Sequence, residues 1–236
     1  MPDIAERYDY RLVDKHAAWT DAGPVVSRLP DLEIEMLEGR AAATVATPSP
    51  MALFGFATGT WMSAILFGGW AGVGAAEVLA PVLVLFAGVA QFIGGLFAYR
   101  RGNALTSNAF CCYGAFNTVV GTMMLLEMTG RVPVGPSAQN MLGYLLCSFG
   151  FISFAFMLAG LRRNLVMTGL LGSLAAGYAL TGISRFLMGP NGAVGGFAVA
   201  GAILLFVASF LAYYLGTATI VNSAWRRRFL PIFGQP

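Results

Sequence analysis

Six continuous apolar stretches, each near the roughly 20 residues a helix needs to cross a bilayer core, fill the chain beyond residue 46. They run Met51–Trp70, Val78–Tyr99, Leu105–Met128, Met141–Leu161, Leu165–Leu187 and Ala193–Tyr214, the last with room to continue to Ile220. None alternates apolar and polar residues as a barrel strand must, so the stretches predict helices. With 57% hydrophobic and 11% charged residues, the chain falls far short of the roughly 25% charge of a water-solvated domain. The expected fold class is therefore all-α and integral to the membrane, a bundle of six transmembrane helices.

Charge is segregated along the chain. Residues 1–46 hold five basic and nine acidic groups, whereas residues 47–236 hold nine arginines against Glu77 and Glu127. With both termini in the cytoplasm, the inner faces carry Arg100, Arg101, Arg162, Arg163, Arg226, Arg227, Arg228 and the five basic residues of the leader, twelve in all. The outer faces carry only Arg131 and Arg185. This positive-inside bias predicts cytoplasmic N- and C-termini in a multi-pass inner-membrane protein. It also assigns the arginines to topology, not to nucleic acid, which is not expected as a partner. Three regions follow: an acidic cytoplasmic tail at 1–46, a transmembrane domain at 47–225 and a short basic tail at 226–236. The leader lacks the apolar core of a cleavable signal. Its scattered Tyr8, Tyr10 and Trp19 leave two readings, a disordered leader or a docking segment for a protein partner.

Absent residue types narrow function further. The single His16 and single Lys15 both lie in the leader, so no span offers a Schiff-base lysine or a haem-ligating histidine. Glu77 and Glu127 fall at span ends, leaving no central carboxylate of the kind that proton pumps and cation-coupled carriers use. Cys111, Cys112 and Cys147 lie in apolar runs without metal-ligand spacing and read as buried small hydrophobes. No enzyme, metal or cofactor is expected. The spans instead hold neutral hydrogen-bonding groups, among them Thr58, Thr60, Ser63, Gln91, Asn108, Tyr113, Asn117, Ser153, Ser173 and Thr181. Such a lining suits a small anion or its neutral acid, whereas a cation finds no counter-charge. Small residues recur at helix-packing intervals in Gly169/Ser173/Gly177, Gly94/Ala98 and Gly68/Gly72.

The first apolar stretch opens with Thr47-Pro48-Ser49-Pro50-Met51-Ala52-Leu53-Phe54-Gly55-Phe56, two prolines one residue apart that stiffen its start. Thr47 is a candidate helix cap there. Three later segments stand in register with it: Ala87–Leu96, Tyr99–Asn103 and Ala109–Phe116. Together the four resemble the N-P-A-P-L-G-L signature, the G-G-x-A-Q-x-x-A-G segment, the Y/F-x-x-G-N turn and the A-F-x-S-Y-G-x-F run of the acetate/succinate uptake transporters, the YaaH/SatP-like family. The chain departs from that pattern at Thr47, Ser49, Met51, Ala52, Ala98 and Asn117. The resemblance implies a six-helix protomer that assembles as hexamers, each protomer carrying its own path for a small carboxylate. It further implies a narrow point formed by Phe56, Tyr113 and Leu174, with the Tyr113 hydroxyl offering a hydrogen bond to the substrate. Thr47, Pro48, Pro50, Gln91, Asn103, Asn108 and Ser173 become candidates for signature or path-lining positions.

Two functions are open at this point. One is a membrane transporter or channel for a small monocarboxylate such as acetate, passing an apolar gate. The other is a transporter-like scaffold that serves as an accessory or assembly subunit of a larger membrane complex.

Overall fold

The computed structural model describes residues 46–132, 135–187 and 195–233. The acidic leader up to residue 45, the turn at Pro133 and the Gly189–Gly192 linker lie outside them. Among the described residues, six helices are long and apolar enough to cross a membrane: α1 (Ser49–Phe67), α2 (Ala75–Arg100), α3 (Ala104–Met128), α4 (Pro136–Gly160), α5 (Leu165–Phe186) and α6 (Gly196–Trp225).

Local chemistry sets the ends. Asn103 caps α3 by accepting the Thr106 N–H at 3.2 Å, and Asn164 caps α5 by accepting the Met167 N–H at 2.7 Å. Just before Asn103, Gly102 takes a φ of 68°, the left-handed turn that lets α2 reverse into α3. Pro136 occupies the first turn of α4, where its missing N–H costs nothing, so α4 starts five residues before the apolar run does. α6 continues past both expected ends because Leu215–Trp225 contains no proline and its one glycine, Gly216, packs on Phe54, and it stops where Arg226 turns left-handed. Beyond it the basic tail folds back. Asn222 exchanges a pair of 2.8 Å hydrogen bonds with the Leu230 backbone, and the Leu165 N–H donates to the Phe233 carbonyl at 3.2 Å.

Each helix packs on the next in chain order and α6 returns to α1, forming a ring in which the α3–α4 joint has the least backbone contact of the neighbouring pairs. The tight joints are built on glycines. A Cβ on Gly55 would run into the Phe86 carbonyl oxygen, one on Gly114 would come 2.6 Å from the Phe92 nitrogen, and one on Gly177 would come 2.9 Å from Leu205. Backbone therefore approaches backbone, the way helices associate in lipid where no hydrophobic effect drives them together. Of the expected small-residue rows, Gly94 and Gly177 lie at such joints, facing Ala52 and Leu205. Gly68 and Gly72 do not. They fall in the α1–α2 connection, and Gly72 has nothing within 4 Å.

α2 is not one regular helix. Pro81 removes the donor owed to the fourth carbonyl behind it, and from the next residue Val82–Ala90 winds as a π-helix before Gln91–Arg100 resumes the α form. At that junction the Gln91 N–H turns to the Gly88 carbonyl, and the Asn117 side chain donates to the Ala87 carbonyl at 3.1 Å. Irregular backbone is thus satisfied from the neighbouring helix, as lipid demands.

Gly55→Ala and Gly114→Ala are expected to lower stability by about 1–3 kcal/mol or more through overpacking. Gly72→Ala serves as the neutral comparison. Thermal melts of the detergent-solubilised variants check the contrast.

Candidate functional site

Most polar groups of the spans are consumed by their own helices. The hydroxyls of Thr58, Thr118, Thr168, Ser173, Thr181 and Thr219 each donate to the carbonyl four residues back, at 2.7 to 3.0 Å. Among the described residues two uncharged side-chain atoms remain buried without a partner: the Gln91 amide nitrogen and the Thr60 hydroxyl. A buried polar group left unpaired costs about 1–3 kcal/mol, so both positions call for an account.

Each of the two lines a cavity inside the ring. The first cavity, about 30 Å3, is bounded by Leu53, Phe56, Gln91, Tyr113, Leu171 and Leu215, among others. The second, about 10 Å3, is bounded by Thr60, Ser63, Phe67, Asn117, Tyr178 and Leu205, among others. The pair is stacked along the ring axis. On α1, α3 and α5 the residues of the first cavity precede those of the second, and on α6 the order reverses. The first cavity therefore faces the end of the ring that carries Arg100, Arg101, Arg162, Arg163 and Arg226–Arg228. The two cavities have room for a few waters at most, so the axis is occluded to larger groups in this structure.

The occlusion is aromatic. The Phe56 and Tyr113 rings lie 5.4 Å apart and tilted by 44°, with only 2% and 3% of their surfaces exposed. Leu174 is completely buried and sits on the same face of α5 as Leu171 of the first cavity and Tyr178 of the second, one helical turn from each. Tyr113 also meets Phe149 and Phe156 of α4, at 6.2 and 6.0 Å. Phe116 stacks on Phe149 at 4.3 Å and meets Tyr178 edge-on at 5.2 Å. These rings fill the joint where α3 and α4 keep their backbones apart.

In this structure Tyr113 has a partner on α4. Its hydroxyl donates to Ser153 Oγ at 2.8 Å, and Ser153 in turn donates to the Phe149 carbonyl at 2.6 Å. The phenol is tethered to α4, and its one proton is already committed there rather than offered to a substrate. Its ring, not its hydroxyl, meets Phe56.

The other expected positions divide. Gln91 is 1% exposed, accepts from Asn117 at 3.4 Å and presents its free amide N–H groups at the first cavity. Pro50 is buried in the first turn of α1, and Pro48 stands at the cap position, its carbonyl accepting the Ala52 N–H at 3.2 Å. Thr47 caps nothing. It is exposed and its hydroxyl bonds to Ser49, because the cap position falls one residue later, on proline. Asn103 is a helix cap at the basic end, within 3.5 Å of Arg163 Nη2. Asn108 is exposed and accepts the Tyr99 hydroxyl at 2.7 Å, so it faces away from the axis. Ser173 is spent on the Gly169 and Leu170 carbonyls. Thr60 is the residue that pattern reading did not single out. Its signal was the lack of a back-bond, which no sequence displays.

Comparison with known proteins now adds to this geometry. A sequence model of the GPR1/FUN34/yaaH family matches residues 33–230. The succinate-acetate/proton symporter SatP of Escherichia coli is 28% identical over 188 residues, spanning 80% of this chain and 95% of that relative. The ammonia transport outward protein 2 of Saccharomyces cerevisiae is 25% identical over 182 residues, spanning 75% of this chain and 64% of that relative. Among solved structures, that of the bacterial acetate channel SatP matches with a TM-score of 0.71 at 23% identity, covering 80% of this chain and 99% of the other. That last likeness is one of fold.

The tether predicts a coupled pair. Ser153→Ala should cost about 1–3 kcal/mol by leaving the buried Tyr113 hydroxyl unsatisfied, Tyr113→Phe should cost less because Ser153 keeps the Phe149 carbonyl, and the double variant should cost less than the sum. A double-mutant cycle on unfolding measures the coupling.

Proposed function

The chain belongs to the GPR1/FUN34/yaaH family, and from that footing we propose that it is a multi-pass membrane transporter or channel for a small monocarboxylate, acetate first. The observation that carries this reading is the pair of unpartnered buried groups, Gln91 Nε2 and Thr60 Oγ1, one on each of the two stacked cavities, the first of which is closed by the Phe56–Tyr113 ring contact. Once the first cavity widens beyond its present volume of about 30 Å3, a carboxylate there accepts from the Gln91 amide while its methyl group rests on Leu53, Phe56 and Leu171. Crossing requires the two rings and Leu174 to part. The substrate then meets the Thr60 hydroxyl, with Ser63 beside it, in the second cavity. An apolar constriction of this kind passes a small group that sheds its water and resists a hydrated ion.

Names borne by relatives support the substrate class: one is called a succinate-acetate/proton symporter and another, from Aspergillus clavatus, an acetate transporter protein. The described spans carry no histidine and no carboxylate midway, so the proton of a coupled cycle travels on the substrate or on water. The arginine-rich end is the cytoplasmic one by the positive-inside rule, which puts both termini inside the cell membrane. The path is lined within one chain, and a hexameric assembly, as the family resemblance implies, gives six such paths.

Labelled acetate uptake into proteoliposomes tests the reading. Gln91→Leu should lower the rate about tenfold, the worth of one hydrogen bond to a charged group. Phe56→Ala should admit longer carboxylates that the intact protein excludes. Ammonia, raised by the yeast relative's name, is run alongside as the rival solute. Background flux of every solute with the intact protein overturns the proposal in favour of a scaffold that no longer transports.

A further inference from the structure

The neutral axis is overlooked by one cation. Arg185, in the last turn of α5, is half-buried, and its guanidinium carbon lies 4.8 Å from the centre of the Phe67 ring. Phe67 ends α1 and is itself part of the second cavity's wall. The Nη1 group of Arg185 donates to Gln139 Oε1 on the first turns of α4, at 3.1 Å. The backbone beneath it is equally fixed. Phe186 packs on Tyr144 with ring centres 4.9 Å apart and closes over Gly143, where a Cβ would meet its ring at 2.9 Å. The guanidinium is thus held from α1, α4 and α5 at the end of the ring opposite the basic cluster. Glu127, in the last turn of α3, sits at the same end of the ring as Arg185 in the last turn of α5.

Topology alone does not call for this. Arg131, the other arginine on that side, is exposed. A charge marking only the outer face needs no aromatic shelf and no amide clamp. An ionisable group drawn into a membrane protein carries a cost that is usually met by a role in an ion path. Arginine suits it, because the group stays charged at every working pH and stacks flat on a ring. Its seat at a helix C-terminus makes a cation favourable there. Low-dielectric walls focus its field into the adjacent cavity.

We propose that Arg185 is the specificity-determining charge of the passage: from its seat on Phe67 it concentrates carboxylate anions at the second cavity and rejects cations, and Glu127 attenuates that field. The inference rests on the carboxylate-transport reading. Arg185 does not touch the substrate in this scheme; it acts through space.

The test uses the full chain in proteoliposomes and planar bilayers, reading two quantities: the acetate concentration for half-maximal uptake, and the acetate-to-sodium permeability ratio from reversal potentials. A unit charge within about 12 Å, at an effective dielectric of about 20, changes a local ion concentration about tenfold. Arg185→Gln should raise the half-maximal concentration and lower the permeability ratio by about that factor, whereas Arg185→Lys should restore most of both. Glu127→Gln should move both quantities the opposite way. A purely structural clasp predicts otherwise: Arg185→Gln and Glu127→Gln both depress flux and leave the permeability ratio alone, and that result overturns the inference. Flux in the intact protein that Arg185→Gln does not alter overturns it as well. No flux in the intact protein overturns the transport reading first, and this inference with it.

Discussion

Backbone meeting backbone where α1 crosses the π-wound part of α2 is the contact on which the interior depends. Gly55 admits the Phe86 carbonyl, and four residues on Gly59 admits the Ala87 methyl. Phe56 follows Gly55 directly and is thereby driven into the axis against Tyr113. On the other partner, the wider winding ends at Gln91, which is why that amide emerges beside the first cavity rather than along the lipid face. One glycine pair and one proline thus place the apolar constriction and its polar neighbour together. Lipid supplies no hydrophobic force for such a joint, so fit must supply it.

The same joint explains what reading the sequence achieves and where it stops. Six spans and their order were legible because apolar length is a property of the chain alone. The ends were less so. α6 outruns its apolar core because Thr219 bonds back to the Leu215 carbonyl and Asn222 is held by the Leu230 backbone, while Pro136 starts α4 ahead of the apolar run. The π segment was invisible, since Val82–Ala90 reads as any buried helix. Pro81 was the available hint. Glycine rows were legible as a habit of the chain, yet which of them face a neighbour depended on rotation about each helix axis. Gly55 on α1 faces the Phe86 carbonyl, whereas Gly72 is open because it falls in the connection after the helix has ended.

Site residues divide for a related reason. Motif resemblance singled out Phe56, Tyr113 and Gln91 because family patterns follow position. It also drew in Asn103 and Asn108, whose chemistry is local: one caps a helix and the other bonds Tyr99 on the outer face. Hydrogen bonding then decides among the remainder. A hydroxyl that returns its proton to its own helix is part of the wall. One that does not is available. Thr60 and Ser173 look alike in sequence and differ only in that respect.

Five joints of the ring are made by neighbouring backbones, and the sixth, between α3 and α4, by the side chains of Tyr113, Phe116, Phe149 and Phe156. The difference is mechanical. Parting a glycine joint means separating two main chains, whereas each aromatic pair is worth about 0.5–1.5 kcal/mol beyond its buried area and the Tyr113–Ser153 hydrogen bond about 1 kcal/mol more, and both loosen by rotation about side-chain bonds. The bundle is therefore stiff around most of its circumference and compliant along one line, the line that passes through Tyr113. Dilation concentrated there widens the axis without dismantling the scaffold that defines it.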